Sequence, residues 1–154
     1  MPYRICKTFE FENAHVLSKH PERCREVHGH SRRVEVVLTA MALDAQDMVC
    51  DFKALKLALG EFLDSFDHAL CINSHDPLLP AFQKLSGTRL IVFENADPTT
   101  EVMAKHMFDY IKAALQKEIR YPAGAGAYEI GRAVKLERVR LWETRSSWGE
   151  YTEE

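Results

Sequence analysis

Three of the seven histidines sit where they could share one metal ion. His28 and His30 flank a single glycine just before an alternating apolar run, and residues two apart in an extended chain project to the same side. Upstream, Phe9, Phe11, Asn13 and His15 share one parity, which places His15 on the apolar side of a first strand. If the two strands pair like a hairpin, the three imidazoles face one point. Three neutral imidazoles fill three positions of a tetrahedral zinc, at about 2.0 to 2.1 Å, and leave the fourth open for a reacting group. The competing reading makes His15 a core histidine and His28-Gly29-His30 a turn.

Cys24 stands four residues before His28, between Arg23 and Arg25. Positive neighbours and a nearby metal favour the thiolate, so Cys24 is a candidate base or nucleophile, with a soft extra zinc ligand as the rival role. Asp67-His68 follows a helical stretch directly. A carboxylate that hydrogen-bonds an imidazole fixes its tautomer and supports proton transfer, although a histidine there could equally serve a helix dipole. Glu143 continues the inward parity of Val139 and Leu141. An inward carboxylate needs a partner: either a ligand with two parallel N–H donors, such as the amino-pyrimidinone edge of a pterin or guanine, or a strand arginine such as Arg138 or Arg140.

The elements that position these residues follow from hydrophobic periodicity. Tyr3 to Phe11 and Arg33 to Met41 alternate as strands. Phe52, Leu55, Leu59, Phe62, Leu63 and Phe66 draw a helical stripe that begins at Asp51 as N-cap. A second helix starts in Asp97-Pro98-Thr99-Thr100-Glu101 and buries Met103 or Ala104, Met107, Phe108, Ile111 and Leu115. Ala133 to Glu143 alternates but changes phase, which a bulge near Glu137 and Arg138 reconciles. Trp148 to Thr152 and Thr88 to Phe93 are short extended pieces, and Pro122 to Gly131 is a mobile or tightly turning connection. The order predicts an α+β domain over residues 1–154, a four-stranded antiparallel sheet with two helices on one face.

Composition sets the outer limits. The 154 residues are 46% hydrophobic and carry a net charge of −3, which argues for one globular domain and against a nucleic-acid partner. No apolar stretch reaches membrane-spanning length, and Met1 to Glu10 has no apolar signal region. The expectation is a cytoplasmic protein with four reduced thiols, Cys6, Cys24, Cys50 and Cys71, and no membrane partner.

Five short segments, in order, extend this reading: Phe11 to His15, Cys24 to His30, Asp67-His68 with Leu70 and Asn73, Pro98 to Glu101, and Glu143-Thr144. Together, from about Phe9 to Tyr151, they resemble the 6-pyruvoyl-tetrahydropterin synthase family, which includes bacterial 6-carboxy-tetrahydropterin synthases. The resemblance implies the tunnelling fold, with trimers whose sheets join into a barrel, often stacked as hexamers. It implies zinc held by His15, His28 and His30, Cys24 as proton-transferring thiol, and Asp67 and His68 completing the relay from a neighbouring subunit. Glu143 would anchor the pterin ring of 7,8-dihydroneopterin triphosphate, with Thr99, Thr100 and Glu101 near that pocket. The four-residue step from Cys24 to His28 resembles the bacterial queuosine-pathway type and implies a 6-carboxy product. The stretch Ser74 to Ala96 is longer than in compact bacterial members. The alternatives are a 6-pyruvoyl-tetrahydropterin synthase or a folate-pathway homologue that cleaves the side chain and, more remotely, a zinc hydrolase or a non-catalytic pterin-binding module.

Overall fold

The computed structural model describes residues 1–85 and 87–153. In chain order its elements are β1 (Tyr3–His15), β2 (His28–Ala40), α1 (Phe52–Asp64), β3 (Ala69–Asn73), α2 (Leu79–Gln83), β4 (Arg89–Phe93), α3 (Thr100–Leu115), β5 (Ile119–Ala123), β6 (Gly126–Ile130), β7 (Lys135–Trp142) and β8 (Trp148–Thr152). The main sheet has the order β4-β3-β1-β2-β7-β8. The expected four-stranded antiparallel unit is its β1-β2-β7-β8 part. Two parallel strands extend it past β1, so the sheet has six strands and is mixed.

β1 and β2 run antiparallel in one unbroken register, from Tyr3 opposite Ala40 to His15 opposite His28. Both are longer than their apolar alternation suggests: β1 runs on through Asn13, and His28-Gly29-His30 belongs to β2 itself. β3 joins β1 only at Asn13, Ala14 and His15. On the other side, β7 pairs with β2 through the anticipated bulge. Val37 lies opposite Arg138 and Leu38 opposite Leu136, so Glu137 is the extra residue. Its carbonyl accepts the Thr152 hydroxyl at 2.7 Å.

The core lies between this sheet and two helices. Val34, Val36, Leu38, Val139 and Leu141 supply the sheet side, Leu55, Leu59 and Leu63 come from α1, and Met103, Met107, Phe108 and Ile111 come from α3. Each such side chain contributes roughly 1.5 to 3 kcal/mol when fully buried. α1 starts where Asp51 accepts the Lys53 N–H, and α3 where Thr99 accepts the Val102 N–H. Pro122 to Gly131 is not merely a connection. Most of it forms the β5–β6 hairpin, closed by a two-residue turn in which Gly124 adopts φ 54°. The long Ser74 to Ala96 stretch houses α2 and β4, where Leu79 and Phe82 join Val16 and Ile72 in a small second core.

Candidate metal centre and ligand pocket

The last residue of β1 and the first of β2 are paired, so His15 and His28 stand side by side, and His30 follows on the same face. Their ring centroids are 4.5 Å apart for His15 and His28, and 5.1 Å for each of the other two pairs. One ring nitrogen from each falls within 4.8 Å of the others, and among the described residues this is the one such cluster of possible ligands.

Backbone carbonyls set which nitrogens are free. His15 Nδ1–H donates to the Pro98 carbonyl at 2.8 Å, and His28 Nδ1–H donates to the Glu26 carbonyl at 2.8 Å. The lone pair of each ring is thereby placed on Nε2, the arrangement that orients imidazole for a metal. Nε2 of His15 and Nε2 of His30 are buried with no hydrogen-bond partner among the described residues. Burial also lowers the His15 pKa to about 4, against the opposing pull of the Pro98 carbonyl, and lowers that of His30. Neutral rings with unshared buried lone pairs suit a divalent cation and leave its fourth position open.

Glu143, just past β7, reaches the same patch. Its Oε1 lies 3.5 Å from His30 Nε2, and its Oε2 accepts the Thr100 hydroxyl. Burial raises this carboxyl, but the Thr100 hydroxyl and the nearby His30 and Arg32 outweigh that and hold it below the ordinary value. Arg138 and Arg140, the alternative partners for Glu143, instead pair with Glu150, and Arg140 also approaches Glu35. Thr99 caps α3, whereas Glu101 is exposed on its first turn and its backbone nitrogen meets the sheet at Gly149. A Cβ on Gly149 would lie 3.1 Å from that nitrogen.

Cys24 occupies a 3₁₀ turn, Arg23–Arg25, in the loop joining β1 to β2. The loop is pinned by the Leu17 N–H on the Cys24 carbonyl at 2.9 Å and by Asp97, which accepts from the Ser18 hydroxyl at 2.6 Å and the Lys19 N–H at 2.8 Å. Cys24 is half-buried, and its Sγ is not within 4.8 Å of all three histidine ligand atoms. Of the other thiols, Cys50 and Cys71 are pushed up to about 11 and Cys6 is also raised, in each case first by burial.

Asp67 and His68 make a dyad, with His68 Nδ1 2.8 Å from Asp67 Oδ2. Asp67 Oδ1 also accepts the Glu12 N–H at 2.8 Å, and these two contacts hold its carboxyl below the usual range. His68 adopts φ 56°, three residues beyond the α1 C-cap Ser65, with its side chain 78% exposed. It opens on a cleft of about 550 Å³ whose lining includes Glu12, Ala14, His30, Ser31, His68 and Arg89. Glu12, Ala14 and Ser31 have the parity opposite to the histidine cluster. Among the described residues, neither Asp67 nor His68 joins the cluster of possible metal ligands.

Residues 4–154 match the sequence profile of 6-pyruvoyl tetrahydropterin synthase. The chain belongs to this family. Among its 6-pyruvoyl tetrahydropterin synthase relatives, a 6-carboxy-5,6,7,8-tetrahydropterin synthase of Aquifex aeolicus is 33% identical, with all of both chains covered. One of Haemophilus influenzae is 28% identical over 98% of this chain and 99% of its own. Among solved structures, an uncharacterized Wolinella succinogenes protein superposes with TM-score 0.78 at 22% identity, covering 100% of this chain and 99% of that one. The Caenorhabditis elegans 6-pyruvoyl tetrahydropterin synthase gives 0.67 at 19%, covering 100% and 97%. The fold is thus the tunnelling fold of the 6-pyruvoyl tetrahydropterin synthases.

Two members of the pocket were missed by the sequence reading. The Pro98 carbonyl has no side-chain signature. Arg32 shares the parity of His28 and His30 on β2, and that parity was the signal available for it.

Proposed function

We propose that this chain is a zinc-dependent pterin synthase that converts 7,8-dihydroneopterin triphosphate and water to 6-carboxy-5,6,7,8-tetrahydropterin, acetaldehyde and triphosphate. The observation that carries this reading is the convergence of unpartnered imidazole nitrogens with a carboxylate held ionised 3.5 Å from one of them. The names of the full-length relatives support the 6-carboxy product, as does the four-residue step from Cys24 to His28.

His15, His28 and His30 would hold the zinc, which when bound polarises side-chain oxygens of the substrate and acidifies the neighbouring C–H bonds. Glu143 would accept two N–H donors from the pyrimidinone edge, fixing the ring while Thr100 steadies its other lone pairs. Thr99 and Glu101 shape the α3 terminus beside that edge. Cys24 would move a proton at the side chain, and Asp67 would orient His68 Nδ1 so that Nε2 relays protons to and from it. Because His68 is exposed and stands outside its own chain's histidine cluster, the complete site would form between neighbouring subunits of a trimer or of a dimer of trimers. The domain comprises residues 1–154 and acts in the cytoplasm. No described helix is long and apolar enough to cross a membrane.

The test is incubation of zinc-loaded protein with 7,8-dihydroneopterin triphosphate, followed by mass analysis. The expected products are the 6-carboxy pterin, acetaldehyde and triphosphate. A pyruvoyl product without acetaldehyde would move the chain to the other branch, and unchanged substrate would overturn the synthase reading.

A further inference from the structure

Arg32 is among the most thoroughly buried large side chains of the described residues, at 2% exposure, and reaches Thr100 and His15. Its Nη1 donates to Thr100 Oγ1 at 3.2 Å. Its Nη2 comes within 3.3 Å of His15 Nδ1, but that nitrogen already spends its hydrogen on the Pro98 carbonyl and has no lone pair to offer. Nε has no partner. A guanidinium with five donors is therefore enclosed while making one good hydrogen bond, and arginine does not escape by losing its proton. Such burial is expensive, and apolar replacements of similar size are often as stable or more so.

What the single bond achieves is directional. A threonine hydroxyl has one proton, and Arg32 Nη1 occupies its oxygen as a donor. The proton must then point elsewhere, and the acceptor present is Glu143 Oε2. The sequence Arg32, Thr100, Glu143 is a chain of fixed polarity. It occupies one lone pair of Glu143 Oε2, leaves a lone pair on each oxygen for a ligand, and sets the plane in which Glu143 meets it.

We propose that Arg32 is a positioning residue for the pterin ring, acting through Thr100 on Glu143; this rests on the pterin reading above. Pre-ordering a carboxylate lowers the cost of binding a flat bidentate partner. Arg32 thus trades stability for ligand affinity, which separates this role from that of a structural ion pair.

The experiment measures binding of unsubstituted pterin by its own fluorescence, together with zinc content and thermal midpoint, in Arg32→Met, Thr100→Val and the double variant. Arg32→Met should keep its zinc, melt no lower than the parent, and bind pterin about tenfold more weakly, the scale of one hydrogen bond to a charged group. The double variant should bind no more weakly than the worse single one. Arg32→Lys keeps the charge without the fork, and should also lose affinity with zinc retained, which covers a Met variant that does not fold. Unchanged pterin affinity in Arg32→Met or Arg32→Lys, or additive losses in the double variant, would overturn the proposal. Parent protein that binds zinc but no pterin would instead overturn the functional reading itself.

Discussion

The histidine cluster and the Asp67–His68 dyad are built to opposite standards. In the cluster, His15 is 1% exposed, two rings are fixed by backbone carbonyls, and one ring nitrogen of each lies within 4.8 Å of the others. In the dyad, the imidazole stands 78% exposed on a backbone of positive φ, held by one carboxylate. The cluster is finished within one chain, whereas the dyad is presented outward. On the function proposed above, the dyad is the half that would complete its site against a second copy of the chain.

The largest effect should come from the finished half. His28→Ala should reduce zinc from one per chain to nearly none and abolish turnover, read by metal analysis; full zinc in that variant would break the contrast. Next, Cys24→Ala and His68→Ala should each keep zinc and lose roughly 10²- to 10⁴-fold in turnover. Mixing these two inactive proteins after reversible dissociation should restore part of the activity, because one subunit then supplies the thiol and its neighbour the dyad. Failure to complement would place both in the same chain and remove the argument from exposure.

Acid should sharpen the difference further. In zinc-free protein the His15 pKa is about 4, below its unfolded value of about 6.5, so the unfolded chain binds more protons between these limits. The stability from neutral His15 is complete above about pH 6.5, is lost as pH falls toward 4, and amounts to roughly 3 kcal/mol in all. Thermal midpoints across this range should fall for the parent and be flatter for His15→Phe. The smallest effect should follow Gly149→Ala, where the new Cβ meets the Glu101 nitrogen and Thr100 Cγ2 at 3.1 Å each. A loss of about 1 kcal/mol, with weaker pterin binding and unchanged zinc, is expected.

What the sequence made legible was whatever repeats with a period. The alternation of β1 and β2 predicted which side His15 faces, the helical stripes predicted α1 and α3, and the phase slip before Glu143 located the bulge. β3 escaped because Ala69 to Asn73 are all buried, so a strand covered on both faces has no alternation to show. The β5–β6 hairpin escaped because Pro122 and its glycines read as turn material, although a strand tolerates proline where no ladder partner needs its N–H. Arg32 escaped because an arginine beside Arg33 reads as solvent-facing, although its parity with His28 and His30 placed it on the inward face.

The extra residue in β7 works as a phase shifter. Upstream of Glu137 the inward face is kept by Leu136, and downstream by Val139, Leu141 and then Glu143. Deleting that one residue, roughly 20 Å of strand away from the pocket, would exchange the two faces of everything after it. Trp142 would turn toward the histidines and Glu143 away from them, with no ligand-contacting residue altered. The chemistry of the pocket therefore depends on a count as well as on composition: insertions or deletions in pairs before Glu143 preserve its facing, and single ones abolish it.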